Sequence, residues 1–160
     1  MIANRQRLVR VPIRDLQRFF ARAMSEVRLP SDAASVCLVT NGQIAKWNAA
    51  YRGKPKPTDV LSFPVKGAPR KGAAPGRKRK PARAPSSRTG GFADSAYLGD
   101  IAIAPAVARQ NARLYRRSLS QEIRILILHG ILHLMGYDHE TDSGQMERRE
   151  RRLRRALGIA

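Results

Sequence analysis

The run from Ile123 to Met135 constrains this chain more than any other stretch, because only Glu122 and Arg124 are charged there, both in its first turn. A helix that is apolar on nearly every side has to be covered on nearly every side, so it sits at the centre of a domain. Ser118 and Gln121 stand at capping-box spacing before the run, and Gly136 stands where a left-handed terminator belongs. A chain of 160 residues can supply the cover. A domain of ~150 residues removes about 68–70% of its unfolded surface from water. Residues 1–160 therefore read as a single domain.

The elements around that helix follow from periodicity. Arg7 to Val11 alternates like a short strand, and Pro12 suits the first position of a helix whose apolar residues run from Ile13 through Val27. Ala34 to Thr40 reads as a core strand. Gly42 to Arg52, with Ile44, Trp47 and Tyr51 on one side, reads as a helix leaning on it. Val60 to Phe63 and Leu98 to Ala104 are two further strands, Pro105 opens a helix to about Tyr115, and Ser143 to Leu157 forms the last helix. This order predicts a layered α+β or α/β domain. Between the strands the composition changes: from Lys66 to Arg88 there is no acid among Lys, Arg, Pro, Gly, Ala and Ser. Such a segment has too little apolar surface to offset its ordering entropy, so residues 66–96 are expected to be a disordered basic insertion.

Lys and Arg number 31 against 12 acids, a formal net charge of +19. That balance favours polyanionic partners, nucleic acid before anionic membrane. The single cysteine, Cys37, excludes an internal disulfide framework and a Cys-based zinc finger. Met1 to Arg14 has no apolar core of the secretory type, and no apolar run approaches the ~18–20 residues of a membrane span. The expected location is the cytoplasm, with no membrane partner.

All three histidines fall between His129 and His139. On a helix, residues i and i+4 lie about 40° apart around the axis and roughly 6 Å apart along it, so His129 and His133 project side by side. Gly136 turns the chain back so that His139 can meet them. Three neutral imidazoles with an open fourth position describe a catalytic zinc site, with one Zn²⁺ per chain. A structural site would take a fourth protein ligand, for which Asp138 or Asp142 stands nearby. The spacing matches the metzincin protease pattern except that Gly130 replaces the glutamate. Glycine cannot take a proton from water, so peptide hydrolysis by that route lacks its base.

The stretch from His129 to His139, His-Gly-Ile-Leu-His-Leu-Met-Gly-Tyr-Asp-His, resembles the signature of the YbeY family of bacterial endoribonucleases and rRNA maturation factors. Asn48 to Arg52 with Lys56 to Pro64, and Leu98 to Ile103, resemble two further blocks of that family in the right order, and Glu122 and Met146 also sit where its pattern has them. The likeness runs from about residue 36 to 157 and is broken at 66–96. It implies a compact α+β domain, a small mixed sheet packed with helices, in which a central buried helix carries two of the three metal-binding histidines. It further implies zinc on His129, His133 and His139, and hydrolysis of single-stranded RNA, with an rRNA precursor of the small ribosomal subunit as partner. Arg52 is then a catalytic residue beside His129, placed to pair with the charge that builds on the scissile phosphate. Asp59, Asp100 and Asp138 are candidates to orient a histidine through its second nitrogen, or to cap and pair structurally. Glu122 lies about 10 Å along the helix from His129, too far for direct work as a base. The arginines of the last helix form either a solvated face or a phosphate contact. Aromatic residues are not interleaved with the basic segments, so base readout is not indicated there. The other reading is a ribosome-associated assembly or RNA-binding factor whose metal is mainly structural.

Overall fold

The computed structural model describes residues 1–65 and 97–159. In chain order the elements are β1 (Ile2–Asn4), α1 (Ile13–Glu26), β2 (Ala34–Leu38), α2 (Asn41–Arg52), β3 (Val60–Pro64), β4 (Gly99–Ile103), α3 (Pro105–Leu114), α4 (Leu119–Leu134) and α5 (Gln145–Leu157). The strands make one mixed sheet in the order β1-β2-β4-β3. β2 runs parallel to β1 and to β4, whereas β3 is antiparallel to β4. The architecture is the expected α+β fold. The segment read as a disordered insertion, 66–96, lies outside the described residues. Its flanks are joined where the Val65 N–H donates to the Leu98 carbonyl at 2.9 Å.

α4 is the hub. Ile123, Ile127, Leu128, Ile131 and Leu132 are buried, with β3 and β4 on one side of the helix and α1, α3 and α5 around the others. At Gly130 the helix comes so close to β4 that an added Cβ would stand 2.7 Å from Ile101 Cγ2. The N-terminus is held by the Ser118 hydroxyl, which accepts from the Gln121 N–H at 3.1 Å. At the other end Gly136 takes φ 96°. There the Gly136 and Tyr137 N–H groups donate to the carbonyls of His133 and Leu132 at 3.0 and 3.1 Å, the doubly bonded Schellman ending that the glycine foreshadowed.

Strand alternation divides the core. Val36, Leu38, Ile101 and Ile103 face α4 in the main cluster. Leu61 and Ala102 belong to a smaller cluster with Ile44 of α2, against which Trp47 and Phe63 pack.

Two expectations shift. Arg7 to Val11 is not a strand, and the first strand is Ile2–Asn4 instead. The Gln6 side chain explains this: its amide donates to the Val9 carbonyl at 2.9 Å and its oxygen accepts from the Val9 N–H at 2.9 Å. These bonds fold the segment on itself, and Val9 and Val11 are buried from a loop. Pro12 caps α1 from just outside the helix rather than filling its first position.

Candidate metal centre

α4 and the turn after it deliver the histidines to one point. His129 and His133 lie one turn apart on the helix, with their Nε2 atoms 3.1 Å apart. The Gly136 turn brings His139 back, and one ring nitrogen from each of the three lies within 4.8 Å of the others. Among the described residues this is the one group of its kind. Nitrogen ligands at 2.0–2.1 Å on a tetrahedral ion are about 3.3–3.4 Å apart, so the His129–His133 separation is close to that of a ligand pair.

The second nitrogen of His129 is also engaged: Nδ1 lies 2.9 Å from Glu150 Oε2. Glu150 comes from α5, is largely buried, and gives its other oxygen to Arg154. Burial pushes the Glu150 carboxyl up, but its bond to His129 and the Arg154 charge outweigh that, and its pKa lies below the ordinary value. A carboxylate on Nδ1 holds the ring in place and leaves Nε2 to face the centre, the usual arrangement behind a metal-bound histidine. Burial, followed by repulsion from His129 and His139, holds His133 below the ordinary imidazole value. It therefore stays in the neutral form that a metal requires. The donor set and the backing carboxylate thus fit a divalent ion of the zinc type.

The candidates for a fourth ligand are otherwise engaged. Asp138 accepts from the Glu140 N–H and the Thr141 hydroxyl, each at 3.0 Å, and these bonds hold its carboxyl below the usual range. Asp142 accepts from the Gly144 and Met146 N–H groups at 2.8 and 2.7 Å, bonding the start of α5. The three histidines therefore leave one side open to a cleft of about 510 Å³, lined also by Tyr51, Arg52, Asp59 and Glu140. Arg52 ends α2, whose N-terminus is capped by Thr40. Buried Asn48 ties the helix to the following loop through a 2.9 Å bond to the Lys56 carbonyl. Across the cleft the Arg52 guanidinium meets Glu140 Oε1 at 3.2 Å, with both groups well exposed.

The other acids fall elsewhere. Asp59 borders the cleft, but its oxygens accept from the Val60 N–H at 2.8 Å and from Asn111 at 3.0 Å, which joins β3 to α3. Asp100 lies in the neighbouring groove on the outer face of the sheet, bonded to Ser35 and, at 2.6 Å, to the Tyr97 hydroxyl. Glu122 is buried against Arg117 at 3.0 Å. Gly130, which stands where a metzincin carries its base, faces Ile101 inside the core.

Residues 1–158 match the sequence profile of the family described as Endoribonuclease YbeY. The chain belongs to the YbeY family. It is 36% identical over 122 residues to Endoribonuclease YbeY of Nautilia profundicola, covering 76% of this chain and 70% of the relative. To the protein of that name from Rhodopseudomonas palustris it is 38% identical over 141 residues, covering 87% of this chain and 65% of the relative. The solution structure of TM1509 from Thermotoga maritima superposes with a TM-score of 0.57 over 98% of this chain and 89% of its own, at 23% identity, which shows the shared fold.

In this YbeY-family chain the carboxylate against a histidine is Glu150, and among the described residues none of Asp59, Asp100 and Asp138 makes such a bond. Sequence reasoning passed over it by treating α5 as an arginine face. A signal was available: Met146, Leu153 and Leu157 form the buried stripe of α5, and Glu150 falls on that stripe rather than among the exposed charges. An acid on an apolar stripe needs a buried partner, and here that partner is His129.

Proposed function

We propose that this chain is a zinc-dependent single-strand endoribonuclease that matures the 3′ end of small-subunit rRNA in the cytoplasm. Residues 1–160 act as one domain on a precursor presented by the ribosomal subunit. Membership of a family of endoribonucleases makes RNA the substrate and phosphodiester hydrolysis the reaction. The observation that carries the finer reading is the placement of His129, His133, His139 and Arg52 around one open cleft. His129, His133 and His139 would hold one Zn²⁺, which when bound supplies Lewis acidity toward a phosphoryl oxygen or a water molecule.

The rest of the work belongs to the chain. Glu150 fixes the His129 ring through Nδ1, so Nε2 is aimed before any substrate arrives. Arg52 exchanges its exposed pairing with Glu140 for the scissile phosphate, where two parallel N–H donors match the nonbridging oxygens as charge develops on them. The pairing with Glu140 is solvated and so costs little to break.

The test is cleavage of a single-stranded RNA by zinc-loaded protein, by chelated protein, and by the Arg52→Ala and His133→Ala variants. Cleavage that needs both zinc and Arg52, with zinc lost from His133→Ala, supports the reading. Normal zinc content in His133→Ala removes the site. Full binding to RNA with no turnover at one zinc per chain supports the assembly-factor alternative instead.

A further inference from the structure

The basic segments lack interleaved aromatics, yet the fold gathers three aromatic rings from separate elements beside the metal cleft. Trp47 and Tyr51 come from α2, one turn apart, and Phe63 comes from β3. Both helix residues meet Phe63 edge-on, with centroids 5.7 and 4.8 Å from it and interplanar angles of 80° and 68°. An edge-on contact covers at most one face of one ring of the pair, and Tyr51 is 71% exposed. Tyr51 and Phe63 line both the metal cleft and a second groove of about 480 Å³, which also contains Trp47, Arg5, Ser35 and Asp100.

The two cavities differ in charge. The metal cleft offers Arg52 and the histidines, which suit a phosphate. The groove holds one guanidinium, Arg5, and one carboxylate, Asp100, so its charges balance and offer a phosphate no net attraction. Its aromatic wall and hydrogen-bonding floor suit a flat, uncharged group with polar edges.

We propose that this wall is a nucleobase subsite: a base next to the scissile phosphate of single-stranded RNA stacks on Tyr51, with Trp47 and Phe63 behind it, while the phosphate lies against Arg52. The inference rests on the endoribonuclease reading and adds where the substrate's base goes. Adjacent Tyr51 and Arg52 then hold a base and the neighbouring phosphate from one helix end. Stacking on a π-face tolerates any base, so the subsite selects for unpaired strands rather than for sequence.

Trp47 is the only tryptophan in the chain and reports on this wall. The experiment follows its fluorescence in the full chain, zinc-loaded and chelated, as a short oligouridylate is added. A ribose-phosphate oligomer of equal length without bases is the control. Quenching by oligouridylate in both metal states but not by the base-free oligomer is expected. Affinity should fall about tenfold or more in Tyr51→Ala and be retained in Tyr51→Phe, from the usual strength of base–aromatic stacking. In the cleavage assay Tyr51→Ala should raise KM more than it lowers kcat. Equal quenching by the base-free oligomer, or an unchanged KM in Tyr51→Ala, overturns the subsite even where cleavage is intact. Base-dependent quenching without zinc-dependent cleavage upholds the subsite and sinks the nuclease reading.

Discussion

Replacing Gly130 by alanine sets two ordinary effects against each other, and the structure says which prevails. In a helix interior alanine is favoured over glycine by about 1 kcal/mol. Here the new methyl would meet Ile101 Cγ2, Cδ1 and Cγ1 at 2.7, 2.9 and 3.0 Å. Ile101 is fully buried and its strand is held on both sides, opposite Val36 of β2 and Ser62 of β3, so it has nowhere to retreat. Overpacking of a tight core costs roughly 1–3 kcal/mol, and three short contacts to one immobile side chain belong in the upper part of that range. The expected net loss is about 1–2 kcal/mol, a fall in Tm of roughly 3–6 °C for a domain of this size. Thermal and urea unfolding followed by circular dichroism would measure it. Ile101→Ala removes all three contacting atoms and alone should cost about 2–5 kcal/mol. In the double variant the methyl occupies part of the space vacated, so the combined loss should fall short of the sum by about 1 kcal/mol or more. A Gly130→Ala protein that gains stability, or strict additivity of the two changes, would refute the close-approach argument. The same contact bars a glutamate from this position, so the protease base cannot be grafted onto α4 without displacing it from the sheet.

Glu150→Gln keeps the shape of the side chain but removes its charge, so zinc affinity should fall by about 10–100-fold; competition with a chromophoric chelator measures this, and unchanged affinity would strip Glu150 of its orienting role. Arg28 and Arg116 hold left-handed conformations, φ 59° and 54°, at the ends of α1 and α3. Each closes a doubly bonded ending in which glycine is the usual residue, so Arg28→Gly and Arg116→Gly should each stabilise the chain by up to about 1 kcal/mol in urea titrations; destabilisation by either would contradict the backbone assignment. The metal-free protein should lose stability as pH falls. His133 resists the proton that the unfolded chain accepts at the ordinary value of 6.5, and Glu150 resists the one accepted at 4.5. The unfolded state thus binds more protons, first below about 6.5 and again below about 4.5. Unfolding midpoints of chelated protein that stay flat between pH 7 and 4 would count against both environments.

What the sequence disclosed was local. The capping serine, the apolar run and the terminating glycine of α4 act on neighbouring residues, so Ser118, Ile123 to Met135 and Gly136 could be read in order. The histidine spacing followed from the same helix. Arg52 was legible through motif likeness, and the structure supplied its setting, the end of α2 facing the cleft. Contacts made by distant segments were hidden. Glu150 reaches His129 across 21 positions, and the aromatic wall is assembled from a helix and a strand that no periodicity links. At the N-terminus, the Arg7 to Val11 alternation was real as a burial pattern but misleading as a strand. The Gln6 side chain satisfied backbone groups that a neighbouring strand would otherwise have taken.

The bond between Val65 and Leu98 joins the ends of the two flanking segments beside the cleft, since Pro64 lines the cavity and Val65 follows it. The intervening sequence carries nine Lys and Arg from Lys66 to Arg88 with no acid. Nine positive charges without a compensating acid add a long-range attraction toward a polyanion such as RNA. Its influence should fall on the rate of encounter rather than on turnover, and it should fade as added salt shortens the range of the field. Replacing the intervening sequence by a neutral linker should therefore slow capture of RNA and leave turnover at the histidines unchanged.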